Sequence, residues 1–300
     1  MSTMTAAPVA PVRSLTLRPL VLVEVRRFVR HPAFLVGLTA CVVFTAMTAP
    51  TANGDVNSGF LAAFFIGVVS MLVTYFQTRS TRLSREALDA SPMSVTARTR
   101  AMCLVCLVPA GFGALWLASF YLALRIWPLE PWMYGTFSQA DNFVILFGQS
   151  VVACLGGPLL GVTAARWLRF RGAGLVLVVG IVVLVAAGLT EAERSSSLNL
   201  RMLTPFTFFT SRMMNPDAED SLPGSPWWYL AWLLALCALA VIAALLREAE
   251  PPPLAHRLKV AGGVVLAVAV TCGLLAMTGG LDQPIRNYPD GHSIVRPVRN

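Results

Sequence analysis

RSTRLSREALDASPMSVTARTR occupies residues 79–100 and sets Arg79, Arg82, Arg85, Arg98 and Arg100 against only Glu86 and Asp89. The stretches on either side, 56–78 and 101–124, contain no charged residue. A helix crossing the hydrocarbon core of a bilayer needs about 20 consecutive apolar residues, so each flank is long enough to cross. A basic, helix-capable loop held between two such spans belongs on the cytoplasmic face, because loops rich in Lys and Arg resist translocation. The fold that follows is an all-α, polytopic membrane bundle.

The same test applied outward predicts seven spans, near 33–50, 59–78, 101–125, 142–165, 172–190, 226–246 and 260–279. The turn-rich APTANGDVNSG parts the first two. Of the 23 basic residues, 16 precede the first span or fall in loop 79–100, in the fourth-to-fifth connection (Arg166, Arg169, Arg171) and in the sixth-to-seventh (Arg247, Arg257, Lys259). The other side holds 7, with 10 of the 15 acids. This alternation places the N-terminus in the cytoplasm, the C-terminus outside and the chain in the plasma membrane.

Only 13% of the 300 residues are charged, against about 25% in soluble domains. The net charge of +8 does not predict nucleic-acid binding, because the basic residues come in short bursts between apolar segments rather than on one soluble face. Cys41, Cys103, Cys106, Cys154, Cys237 and Cys272 all fall in apolar segments, so no disulfide framework is expected. The lone Cys103-x-x-Cys106 has no second pair and no nearby histidine, and reads as helix packing rather than a metal site.

Residues 1–12 are small, proline-interrupted and uncharged, and are expected to be a disordered tail and not a signal peptide. Residues 13–32 are expected to hold an amphipathic helix at the inner membrane surface. At 100° per residue, Leu17, Val21, Leu22, Val25, Phe28 and Val29 gather on one side and Glu24, Arg26, Arg27, Arg30 and His31 on the other. Pro32 forces a break before the first span.

Trp127, Trp132 and Tyr134, and again Trp227, Trp228 and Tyr229, fall where spans meet the outer boundary and read as interface anchors. The longest outer connection, 191–225, contains the short apolar patch LTPFTFF at 203–209. Pro205, Phe206, Phe208 and Phe209 in it either form a re-entrant lid or pack as a loop on the helix ends, since the patch is too brief to span. An outer tail, 282–300, follows the last span.

No catalytic, cofactor or metal constellation is present in the sequence. His31, His256 and His292 fall on different sides, and there is no nucleotide-binding glycine loop, H-E-x-x-H or G-x-S-x-G. Gly156-Gly157-Pro158 reads as a close-packing or kink site. The spans also lack the membrane-depth charges that ion-coupled transporters use. Neutral Thr45, Thr48, Thr74, Gln77, Ser119, Gln149, Ser150 and Thr163 could line a path or bond one helix to another. Any work this chain performs on a substrate therefore draws its energy from another molecule.

The order of amphipathic helix, Arg30-His31-Pro32, two spans, a loop containing Glu86-Ala87-Leu88-Asp89-Ala90-Ser91-Pro92, and Arg98-Thr99-Arg100-Ala101 opening the next span resembles the membrane subunits of ABC transporters of the type-2 export class, particularly the actinobacterial permeases. Thr204-Pro205-Phe206 and Pro226-Trp227-Trp228 extend the resemblance over residues 13–247. It implies that loop 79–100 carries a coupling helix, with Arg82, Arg85, Glu86, Leu88, Asp89 and Pro92 meeting a separate cytoplasmic ATPase. It also implies that the surface helix (Arg26, Arg27, Phe28, Arg30) touches the same partner, that a second permease subunit pairs with this one, and that short re-entrant helices precede the last family span. Six spans are usual there, so 260–279 is an addition. The competing expectations are a non-transporting scaffold that recruits a partner through 79–100 and, less well supported for want of an acid–base cluster, a lipid-modifying enzyme.

Overall fold

The computed structural model describes residues 17–48, 58–83, 94–168, 170, 172–194, 199–205, 207–211, 217–247 and 252–295. It consists of α1 (Leu17–Val29), α2 (Pro32–Thr48), α3 (Gly59–Thr81, continuing as helix to Leu83), α4 (Val95–Ile126), α5 (Gln139–Trp167), α6 (Ala173–Arg194), α7 (Pro226–Leu246) and α8 (Pro252–Thr278). Among the described residues, five of these, α3, α4, α5, α7 and α8, are long and apolar enough to cross a membrane. That is the composition of a multi-pass membrane protein.

The expected count of seven is therefore not reproduced. α1 and α2 meet at 60° and make a sixth span only if the bent pair is taken together. The break has a local cause. Pro32 brings no N–H to α1, and His31 Nδ1 accepts a hydrogen bond from the Ala33 amide at 3.3 Å, opening a new helix. α6 runs for 22 residues, Ala173–Arg194, and among the described residues its apolar part is Ala173–Ala187.

α3 and α5 run parallel at the centre and touch backbone to backbone. A Cβ on Gly157 would sit 2.5 Å from the Gly67 carbonyl oxygen, and one on Gly161 would strike the Met71 carbonyl. The glycine run in α5 is thus a close-packing site, as small residues are in helix pairs within lipid, where van der Waals contact replaces the hydrophobic effect as the driving force. Both helices carry a π segment at the crossing, Ala62–Val68 and Gly148–Val152. The Ala62 carbonyl accepts the Cys154 thiol at 3.3 Å.

α4 runs antiparallel to both and is broken at Cys106. Pro109 supplies no amide for the Val105 carbonyl four residues back. α7 lies parallel to α5, joined by Thr163 Oγ1 donating to the Ala240 carbonyl (2.8 Å) and Trp167 Nε1 to the Ala243 carbonyl (3.0 Å). α8 packs back on α7 as a hairpin and is otherwise largely exposed.

One end of the bundle holds a feature that an all-α reading does not contain. A four-stranded antiparallel sheet, in the order β1 (Thr210–Ser211), β2 (Glu219–Ser221), β3 (Ile285–Asn287) and β4 (Ser293–Val295), joins the long connection before α7 to the segment after α8. Asp220 and Arg286 stand opposite each other in the register and form a two-pronged ion pair at 2.6 and 2.8 Å. The fold is thus a helical bundle with a small β cap.

Candidate functional site

The end opposite the sheet gathers the arginine-bearing connections. α3 continues as helix to Leu83 and α4 begins at Val95, where Ser94 caps it by accepting the Ala97 amide at 3.2 Å. Two spans thus extend into the 22-residue polar stretch from both sides. Only 84–93 separates them, and that segment lies outside the described residues. Arg85, Glu86, Leu88, Asp89 and Pro92 fall in it. Arg82 is on the last helical turn after α3, and its side chain is likewise outside what is described.

The start of the stretch is anchored. Arg79 Nη1 donates to the Tyr75 hydroxyl at 3.0 Å and to the Phe170 carbonyl at 3.3 Å, tying the end of α3 to the connection between α5 and α6. Arg27 Nη2 donates to Ser80 Oγ at 3.0 Å, so α1 is fastened to the same turn. α1 packs on the first turns of α4. Phe28 is fully buried against Phe34 at a centroid distance of 4.7 Å, and Phe34 meets Phe112 of α4 at 5.4 Å. Arg26, Arg27 and Arg30 are exposed.

Two residues of α1 depart from the expected faces. Leu22, placed on the apolar side, is exposed, while Glu24, placed on the polar side, is half-buried with Arg27 at 3.9 Å. Burial lifts the Glu24 carboxyl above its usual range, with Arg27 opposing the shift. α1 presents Val21, Val25, Phe28 and Val29 to the bundle, and tight seating on α4 carries the intervening Glu24 inward.

At the sheet end the mouth of the bundle is filled. Residues 200–203 form a single 3-10 turn that ends at an extended Thr204, and β1 follows at Thr210–Ser211. Short helices were expected here. Among the described residues of 199–211 the only helical piece is this turn. The Tyr229 hydroxyl donates to the Thr204 carbonyl (2.8 Å) and accepts the Thr207 amide (3.2 Å), while Gln149 Nε2 donates to the Thr207 carbonyl (2.9 Å). Tyr229, grouped in the sequence with the boundary aromatics, is instead buried and holds this segment. Trp127, Trp227 and Trp228 are exposed at this end, and Trp227 Nε1 donates to Asp141 at 2.9 Å.

Phe209 is buried between Phe137 and Tyr229, Phe208 packs 5.8 Å from Phe60 of α3, Pro205 is half-buried, and Phe206 lies outside the described residues. The segment is a plug seated among α3, α5 and α7. At its base lies Arg201, which sequence reasoning passed over. It is 3% exposed, donates to the Phe208 and Pro223 carbonyls, and lies 5.9 Å from the Phe209 ring. Burial pulls its pKa down to about 9, with the Tyr229 hydroxyl opposing the shift. An isolated arginine inside the apolar run LNLRMLTPF was the available signal.

Three of the eight neutral polar residues of the spans join helices. Thr45 accepts Trp116 Nε1 at 2.9 Å and Thr74 donates to the Pro158 carbonyl at 2.9 Å. Thr163 acts similarly, Gln149 reaches the 204–211 segment instead, and Ser119 and Ser150 donate within their own helices. No group of three or more His, Cys, Asp or Glu residues able to hold a metal occurs among the described residues. Chemically the arrangement offers a packed apolar bundle, a hydrogen-bonded plug at one end, and at the other the end of α3 tied down by Arg27 and Arg79 beside the start of α4. Compared with known protein families, with curated proteins and with solved structures, the chain matches none.

Proposed function

We propose that this chain is the membrane-spanning permease subunit of an ATP-binding-cassette exporter, taking its energy from a separate cytoplasmic ATPase and pairing with a second permease subunit in the plasma membrane. The observation that carries the reading is the bracing of residues 79–83 and 94–100. These turns are helical extensions of α3 and α4; the α3 end is clamped to α1 through Arg27–Ser80 and to the next connection through Arg79–Phe170, and the α4 end packs on α1. A push delivered at 84–93 moves the two spans as levers, because helices packed backbone to backbone, as α3 and α5 are, do not deform continuously. On this reading the arginine end is cytoplasmic, the β cap is extracytoplasmic, and the plug at 199–209 closes the outer mouth until α3, α5 and α7 part. The chain itself carries no catalytic step.

The test is co-purification of the full chain with its nucleotide-hydrolysing partner and measurement of the complex's ATPase rate. Replacing Leu88 and Asp89 together with alanine should lower association and stimulated hydrolysis while the spans stay folded. Unchanged association and unchanged rate sink the proposal. Retained association with no ATPase in the complex would point to the scaffold instead.

A further inference from the structure

A groove of about 530 Å³ runs between α4 and α7 over α5. Leu104 and Leu107 line one wall, Leu155 the floor, and Leu234, Val241 and Leu245 the other wall, with Leu17 of α1 and Arg100 also in the lining. Leu104, Leu107 and Leu234 are each more than 40% exposed, so the groove opens sideways, toward the surroundings of the bundle and not toward its axis. Its volume falls within the range of about 300–1,000 Å³ typical of small-molecule sites. From Leu234 to Leu245 the groove follows α7 for about 16 Å at 1.5 Å per residue. That is the depth of one leaflet, half of a hydrocarbon core about 30 Å thick.

The polar member of the lining fits that geometry. Residues 101–124 are charge-free and rise about 36 Å along α4, so Arg100 sits where hydrocarbon gives way to headgroups. It is exposed, and no hydrogen-bond or ion-pair partner for it is found among the described residues. Arg166 lies buried nearby, within electrostatic range of Cys103, another lining residue. An apolar slot one leaflet deep that ends at an unengaged guanidinium is complementary to a single lipid: an acyl chain in the slot and a phosphate on the arginine.

The geometry points to a specific site for an anionic phospholipid in the leaflet at the arginine end, with one chain between α4 and α7 and the headgroup phosphate on Arg100. α1 closes the site through Leu17, so lipid occupancy stabilises α1 in its seat against α4. The inference needs only that α4, α5 and α7 span a bilayer, and it stands or falls independently of the ATPase reading.

The test is native mass spectrometry on the full chain, stripped of lipid in detergent and titrated with phosphatidylglycerol or phosphatidylcholine of the same acyl composition. One phosphatidylglycerol per chain is expected, held about fivefold more tightly than phosphatidylcholine, the discrimination one interfacial arginine supplies. Arg100→Gln should erase that preference. Leu107→Trp, which fills the groove, should reduce binding of both lipids, while Leu175→Trp on the exposed face of α6 should change neither. Equal binding of the two lipids by the unmodified chain overturns the inference, as does preference surviving Arg100→Gln. Dissociation of a dimer by Leu107→Trp with lipid binding unchanged also overturns it, giving the groove to a second copy. Should Arg100→Gln fail to fold by size exclusion, the comparison of lipids on the unmodified chain and on Leu107→Trp decides.

Discussion

Replacing Tyr229 with phenylalanine removes one oxygen and leaves the ring, with its contacts to Phe209 and Trp232 at 5.6 Å, in place. That oxygen serves two buried backbone groups of the plug, the Thr204 carbonyl and the Thr207 amide. Each buried group left without a partner costs about 1–2 kcal/mol, so the plug should lose about 2–4 kcal/mol of its hold. At 1.4 kcal/mol per tenfold, local opening becomes about 30- to 700-fold more frequent. Gln149 still bonds the Thr207 carbonyl, so the segment loosens without leaving. Hydrogen–deuterium exchange of a peptide covering residues 200–211 reads this directly. Faster exchange there, with unchanged exchange in α3 and α5, is the expected outcome. Exchange within about twofold of the unmodified protein would refute the assignment of Tyr229 as the latch.

Further tests address the packing, the cap and the surface helix. Gly157→Ala should cost about 1–3 kcal/mol through overpacking against the Gly67 carbonyl. Gly180→Ala, with open space at its Cβ, should gain up to about 1 kcal/mol from helix propensity. Thermal unfolding in detergent compares them. Arg286→Ala removes the two-pronged partner of Asp220, which is 5% exposed, and should destabilise the β cap by about 1.5–3 kcal/mol, making residues 282–295 sensitive to protease. The Asp220→Ala, Arg286→Ala pair should recover part of the loss.

For Glu24, whose carboxyl is raised by burial, the seat of α1 is most stable below the unfolded-state pKa and weakens as pH rises through the folded one. Glu24→Gln should therefore seat α1 more firmly at neutral pH and flatten that dependence. A protease footprint at residues 17–31 measured across pH 4–8 checks it.

How much of this was legible beforehand varies by element. The long charge-free runs pointed to α3, α4, α5, α7 and α8 because each is long and apolar enough to cross lipid on its own composition. The β cap was missed although Tyr288-Pro289-Asp290-Gly291-His292 carries a hairpin signal, with Gly291 at φ +81° and the Tyr288 amide donating to the His292 carbonyl at 3.0 Å. Its strands are two or three residues long, and β2 pairs with β3 across more than 60 positions of sequence, which no local pattern reveals. Tyr229 looked like Trp227 and Trp228 in sequence. Only the plug folded against it separates a latch from an anchor.

The sequence by itself determined which segments are apolar and long enough for a bilayer and where the basic bursts fall between them, since length and composition act segment by segment. Which face of a span meets protein was left to the tertiary structure, because lipid tails are as apolar as leucine and impose no amphipathic pattern on a buried face. Close contact decided it: glycines admitting backbone at the α3–α5 crossing, threonines bonding across helices, and a buried arginine and tyrosine holding the plug. The 60° bend between α1 and α2 has its local cause at His31-Pro32, and the described residues hold five long apolar helices beside that bent pair and α6.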